Sequence, residues 1–127
     1  METNNNAIEF EGKTLRERAI EAAVRFMERH DYEVLEREWF CEAGTVDIVA
    51  MQDGVLVFAS VTVRECAEGG FIEEDCSPQA RAHNEQLAAA FLAATDYVDV
   101  QFRFDVISLL VIGSSRAMLR HHINAFG

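Results

Sequence analysis

GTVDIVAMQDGVLVFASVTVR, running from Gly44 to Arg64, is the stretch that decides the fold. Asp53-Gly54 in its middle is a two-residue hairpin signal, and strand-forming residues lie on both sides, so two antiparallel strands are expected over 45–51 and 55–63. With that turn, Gln52 faces Val55, Asp47 faces Ser60 and Thr45 faces Thr62. Residues two apart share a face, which puts Thr45, Asp47, Ser60 and Thr62 on one side of the hairpin. Val46, Ile48, Ala59 and Val61 fall on the other side, which reads as core. A lone carboxylate among three hydroxyls is the feature the chemistry has to explain.

Upstream, Thr14-Leu15-Arg16-Glu17 has the form of a capping box. Leu15, Ala19, Ala22, Ala23, Phe26 and Met27 follow at helical spacing, giving a helix over 14–30 with Arg16, Arg18, Arg25 and Glu28 towards water. A first strand is expected over 32–40, its Trp39 packing under that helix. Downstream, 65–77 is acidic and glycine-bearing and reads as a loop. Ser77-Pro78 then starts a second helix whose inner stripe is Ala80, Asn84, Leu87, Ala88, Phe91 and Leu92. Strands are expected over 100–112 and 118–123. The order α-β-β-β-α-β-β implies an α/β domain, a mixed sheet flanked by helices. Residues 1–13 read as a flexible arm ahead of this single domain.

The chain has 127 residues, half of them apolar, enough for one core. It offers neither a membrane span nor a signal peptide, so a cytoplasmic protein is the expectation. Cys41, Cys66 and Cys76 form no C-x-x-C pair, which argues against a disulfide scaffold, and a zinc site with His121 and His122 would need chance assembly. The net charge is −11, and Lys13 is the single lysine among 11 basic residues. Such a field works against tight, nonspecific nucleic-acid binding unless the arginines gather on one face.

The ordered blocks Phe26-Met27-Glu28-Arg29-His30-Asp31-Tyr32-Glu33-Val34-Leu35, Gly44-Thr45-Val46-Asp47-Ile48-Val49, Leu56-Val57-Phe58, Ser77-Pro78, Arg103-Phe104-Asp105-Val106 and His122-Ile123-Asn124-Ala125-Phe126 resemble the YraN family. The likeness runs from about residue 14 nearly to the end. It implies a restriction-endonuclease-like αβββαβ core of the PD-(D/E)xK type. The family's hairpin pattern resembles G-E-I-D-L-I followed by F-V-E-V-K. Asp47 keeps the aspartate; the first glutamate falls on Thr45, the second on Ser60 and the lysine on Thr62. The family's helix glutamate falls at or near Ile20, with Glu17 and Glu21 as displaced candidates. A basic residue expected after Ser77-Pro78 aligns with Ala80, and Arg81 follows it.

Such nucleases hold Mg²⁺ through carboxylates while a lysine serves the attacking water. Here Asp47 alone would supply an anionic ligand, and Ser60 and Thr62 are neutral. Arg64 shares their face, but a guanidinium cannot act as a base near neutral pH. The resemblance therefore implies a degenerate site: no cofactor, with Mg²⁺ or Mn²⁺ only if activity is retained. Three roles stay open. One is a silent nuclease fold that engages DNA or RNA through Arg16, Arg18, Arg25, Arg64 and Arg81. The second is a protein-binding or homodimer module. The third is an active endonuclease whose carboxylate has migrated to Glu17 or Glu21.

Overall fold

The computed structural model describes residues 14–114 and 116–126; the expected arm over 1–13 lies outside them. The elements are α1 (Leu15–Arg29), β1 (Glu33–Cys41), β2 (Gly44–Gln52), β3 (Val55–Glu65), α2 (Pro78–Ala94), β4 (Gln101–Ile112) and β5 (Arg116–His122), with a short 3-10 turn at Cys66–Glu68. Their order is the one expected, and the five strands form one mixed sheet in the order β1-β2-β3-β4-β5. All neighbours pair antiparallel except β3 and β4, which run parallel because α2 carries the chain across. This is the α/β, restriction-endonuclease-like architecture that the family resemblance implies.

Local signals behave as their chemistry dictates. Thr14 caps α1, its hydroxyl accepting from the Glu17 amide while Glu17 accepts from the Thr14 amide. Ser77 caps α2 through the Ala80 amide, with Pro78 in the first turn. Asp53 and Gly54 have φ of 50° and 77°, the paired left-handed values of a tight hairpin. The β2–β3 ladder runs from Gln52↔Val55 to Ile48↔Ala59 in the register that this turn sets.

Each face of the sheet has its own core. Ala19, Ile20, Ala23, Val24 and Met27 of α1 pack on Ile48, Ala50, Val57, Ala59, Val61, Ile107 and Leu109. Leu87, Ala88 and Phe91 of α2 cover Val46, Val49, Leu56 and Phe58. Ile20 and Val24 belong to the buried face of α1, further round the helix than the stripe read from the sequence. Trp39 sits under α2 rather than under α1, edge-on to Phe91 with centroids 5.2 Å apart.

The cause of that last difference is a break in strand alternation. A register shift lies between Val34 and Glu36, and Glu38 has φ of 48°. The pairs Arg37↔Ile48 and Trp39↔Val46 bracket Glu38 and Asp47. Strict period two would put Ile48 and Val46 on one face, yet Ile48 packs on α1 and Val46 on α2. The parity turns over at Asp47.

Candidate functional site

Past Ile48↔Ala59 the two strands of the hairpin part. The first residues of β2 pair with β1, as Val46↔Trp39, Thr45↔Phe40 and Gly44↔Cys41. The last residues of β3 pair with β4, from Ser60↔Val106 to Glu65↔Val111. The expected facing of Asp47 with Ser60 and of Thr45 with Thr62 is therefore not made, and a fork opens in the sheet at the motif positions.

Asp47 spans this fork. Its Oδ2 accepts from the Val61 amide at 2.8 Å, a donor left over where the ladder stops. Its Oδ1 accepts from Arg16 Nη2 at 2.5 Å, and Arg16 Nη1 donates to the Val61 carbonyl at 2.8 Å. Arg16, expected towards water, folds back from α1 and closes a three-way link between helix and both strands. The Asp47 side chain is 14% exposed and that of Arg16 46%.

The other motif positions lie elsewhere. Thr45 and Ser60 line a small cleft of about 160 Å³ beneath α2, together with His83 and Asn84. The Thr62 hydroxyl donates to buried Ser108, its partner across the parallel ladder, at 3.0 Å. The hydroxyl-lined face is thus divided: Asp47 is bound to α1, Thr45 and Ser60 look to α2, and Thr62 is bonded to β4. Asn84 was placed on the inner stripe of the second helix by its spacing, whereas His83, one position before it, is the lining residue that the sequence reading did not single out.

Among the alternative carboxylates, Glu17 is engaged in the capping box and Glu21 lines a groove beside α1 that does not include Asp47. Ile20, at the family's glutamate position, is buried in the core. Glu65, on the opposite parity from Arg64, lines the same groove as Glu21. Among the described residues no three of His, Cys, Asp and Glu come together as metal ligands.

That groove, about 520 Å³, runs between α1 and strands β3, β4 and β5. Its floor is apolar, with Val63, Leu109, Val111 and Leu119. Arg18, Arg25, Arg29 and Arg116 stand on its walls, beside Glu21 and Glu65. The arginines expected to share a nucleic-acid face are only partly together: Arg18 and Arg25 are here, Arg16 is bonded to Asp47, Arg64 donates to the Gly70 carbonyl, and Arg81 donates to the Phe126 carbonyl.

A second polar cluster is built on β4. Asp105, 1% exposed, accepts from Arg103 Nε at 3.0 Å and from the Asn124 amide at 2.9 Å, and it meets His121 Nε2 at 2.8 Å. Arg103 also reaches the Tyr32 hydroxyl at 2.8 Å and Gln52 Oε1 at 3.3 Å. Burial alone would raise the Asp105 carboxyl, but the bonds from His121, Arg103 and the Asn124 amide hold it below the ordinary carboxylate value. Burial pushes the Tyr32 phenol up against the lowering effect of Arg103. The cluster ties the end of α1, the hairpin, β5 and the C-terminal turn to one strand, and its groups satisfy one another. His122 turns the other way, to Glu74.

Comparison with known proteins agrees with the fold. The family described as "Uncharacterised protein family UPF0102" matches residues 20–109. A UPF0102 protein of Roseiflexus castenholzii is 44% identical over 90 residues, covering 70% of this chain and 73% of the relative. One from Geobacter sulfurreducens is 32% identical over 114 residues, covering 90% and 89%. One from Myxococcus xanthus is 37% identical over 106 residues, covering 84% and 83%.

Proposed function

The chain belongs to the UPF0102 family, the YraN family its sequence resembles, and from that premise we propose that it binds nucleic acid on a nuclease fold without cleaving it. The observation that carries the silent half is the state of Asp47. It is the carboxylate at the motif positions, and its charge is already met by Arg16. Ser60 and Thr62 bring no charge to replace what a divalent ion would need. The base that such chemistry uses has no counterpart on the hairpin, because the single lysine is Lys13. A lone group rarely sustains a reaction that several groups performed together.

The binding half draws on the groove beside α1. A chain of net charge −11 that gathers Arg18, Arg25, Arg29 and Arg116 along one groove concentrates positive potential where a phosphate backbone can use it. The test is electrophoretic shift of short DNA and RNA duplexes at low salt, with Mg²⁺ or Mn²⁺ present and absent. A shift without cleavage is expected. Its logarithmic salt slope should be about −3 if three arginines each displace a counterion, and should flatten in Arg25→Glu, Arg29→Glu, Arg116→Glu. No shift at micromolar protein overturns the binding reading, and cleavage abolished by Asp47→Ala overturns the silent one.

A second reading rests on the apolar floor of the same groove, which suits a protein segment better than a phosphate chain. A stable dimer in light scattering, with no nucleic-acid affinity, would favour it.

A further inference from the structure

We propose that Arg16 is a tethered cation: its guanidinium fills the place at Asp47 and Val61 that a divalent metal would otherwise take, so the fold carries its own substitute for the ion. The inference goes beyond the functional reading, since it holds whether or not nucleic acid binds. It starts from the donors. A carboxylate oxygen, Asp47 Oδ1, and a backbone carbonyl, Val61 O, converge on one cationic group. Hard oxygens of these two types are what Mg²⁺ and Mn²⁺ accept. The two nitrogens of a planar guanidinium meet them separately, as its fork geometry permits. The second Asp47 oxygen is taken by the Val61 amide, which fixes the carboxylate in place.

The charge arithmetic follows. With Arg16 in place the carboxylate is neutralised, and an arriving ion meets no net negative charge while having to displace two hydrogen bonds. The arginine is held by the backbone it comes from. Arg16 lies in the capped first turn of α1, which fixes where the side chain starts, and its two hydrogen bonds hold the guanidinium at the fork. The donor set therefore does not fit a divalent ion as the chain stands. It becomes a weak oxygen site once the guanidinium is removed.

Titration of Mn²⁺ into isotopically labelled protein, followed by paramagnetic broadening of backbone amides, reads the site directly and is blind to cleavage. In the wild type, millimolar Mn²⁺ should leave the Asp47 and Val61 amides no more broadened than amides beside other surface carboxylates. In Arg16→Gln the same amides should broaden at an ion concentration about tenfold lower, the effect of removing one positive charge a few ångströms away. Adding Asp47→Asn should abolish the gain, and Arg16→Lys should keep the ion out. Arg16 is half exposed on the first helical turn, so these variants are expected to fold. If Arg16→Gln loses its structure, Arg16→Met, which keeps the aliphatic stem, serves in its place. Equal broadening in wild type and variant overturns the proposal, as does a gain that survives Asp47→Asn. A nucleic-acid shift, present or absent, leaves this result untouched, so the two readings fail separately.

Discussion

Replacing Asp105 by asparagine is the most informative single perturbation of the fold. The carboxylate side chain has no solvent exposure and the Arg103 side chain has 18%, so the pair sits in the interior. Removing one partner of a buried pair costs about 3–5 kcal/mol, because the other charge stays buried without its counterpart. Arg103 retains the Tyr32 hydroxyl and Gln52 as partners, which places the loss near the lower end of that range. The asparagine oxygen can still accept from Arg103 Nε and the Asn124 amide, but its amino group replaces the oxygen that Arg103 Nη2 and His121 meet, and that lost acceptor adds about 1 kcal/mol. The total is about 3–4 kcal/mol at neutral pH. Thermal unfolding should fall by about 10 °C, and the urea midpoint by about 2 M.

The pH dependence supplies an internal check. The folded-state pKa of Asp105 lies below its unfolded value, so its stabilisation is complete above about pH 4 and is lost as pH falls through the folded value. Urea titrations of both proteins followed by circular dichroism should therefore show a gap that narrows in acid. A loss below about 1 kcal/mol at pH 7 would refute the reasoning, and so would a gap that stays constant down to the acid limit of folding.

Two further substitutions probe independent parts of the structure. Phe91→Ala removes the ring that Trp39 and Phe58 meet edge-on at 5.2 and 5.6 Å, and should cost about 4 kcal/mol with a change in the fluorescence of Trp39, the single tryptophan. Gly54→Ala meets no atom within 4 Å, so its φ of 77° alone should set the cost at about 1 kcal/mol in urea unfolding, with the hairpin register unchanged.

Much of this architecture could be read locally. Thr14 with Glu17, Ser77 with Pro78, and Asp53 with Gly54 each specify their own geometry within a few residues, and the structure follows them. The ladder was legible as far as Ala59 because the turn sets its register. Beyond that point the reading failed for non-local reasons. A left-handed residue at Glu38, which nothing in a glutamate announces, reverses the faces of Trp39 and Val46. The fork is held by a side chain, Asp47, taking an amide that alternation would give to the backbone. Arg16 lies 31 residues from Asp47, and its exposed-face spacing concealed that it returns to the sheet. The candidate site was legible as a set of residue types but not as a shared face, since facing depends on where two strands stop pairing.

The kinked strand has a consequence for how copies of the chain meet. β1 and β5 are the two open edges of the sheet, and they differ in charge. β1 carries exposed Glu33, Glu36 and Glu38 around Arg37, whereas β5 carries exposed Arg116 and Arg120. Opposite charges on opposite edges would favour head-to-tail stacking, the arrangement that grows into open filaments instead of closing. The offset at Leu35 and the left-handed turn of Glu38 interrupt the straight row of amides and carbonyls that such growth requires. The distortion that displaced Trp39 also makes β1 a poorer template for an added strand.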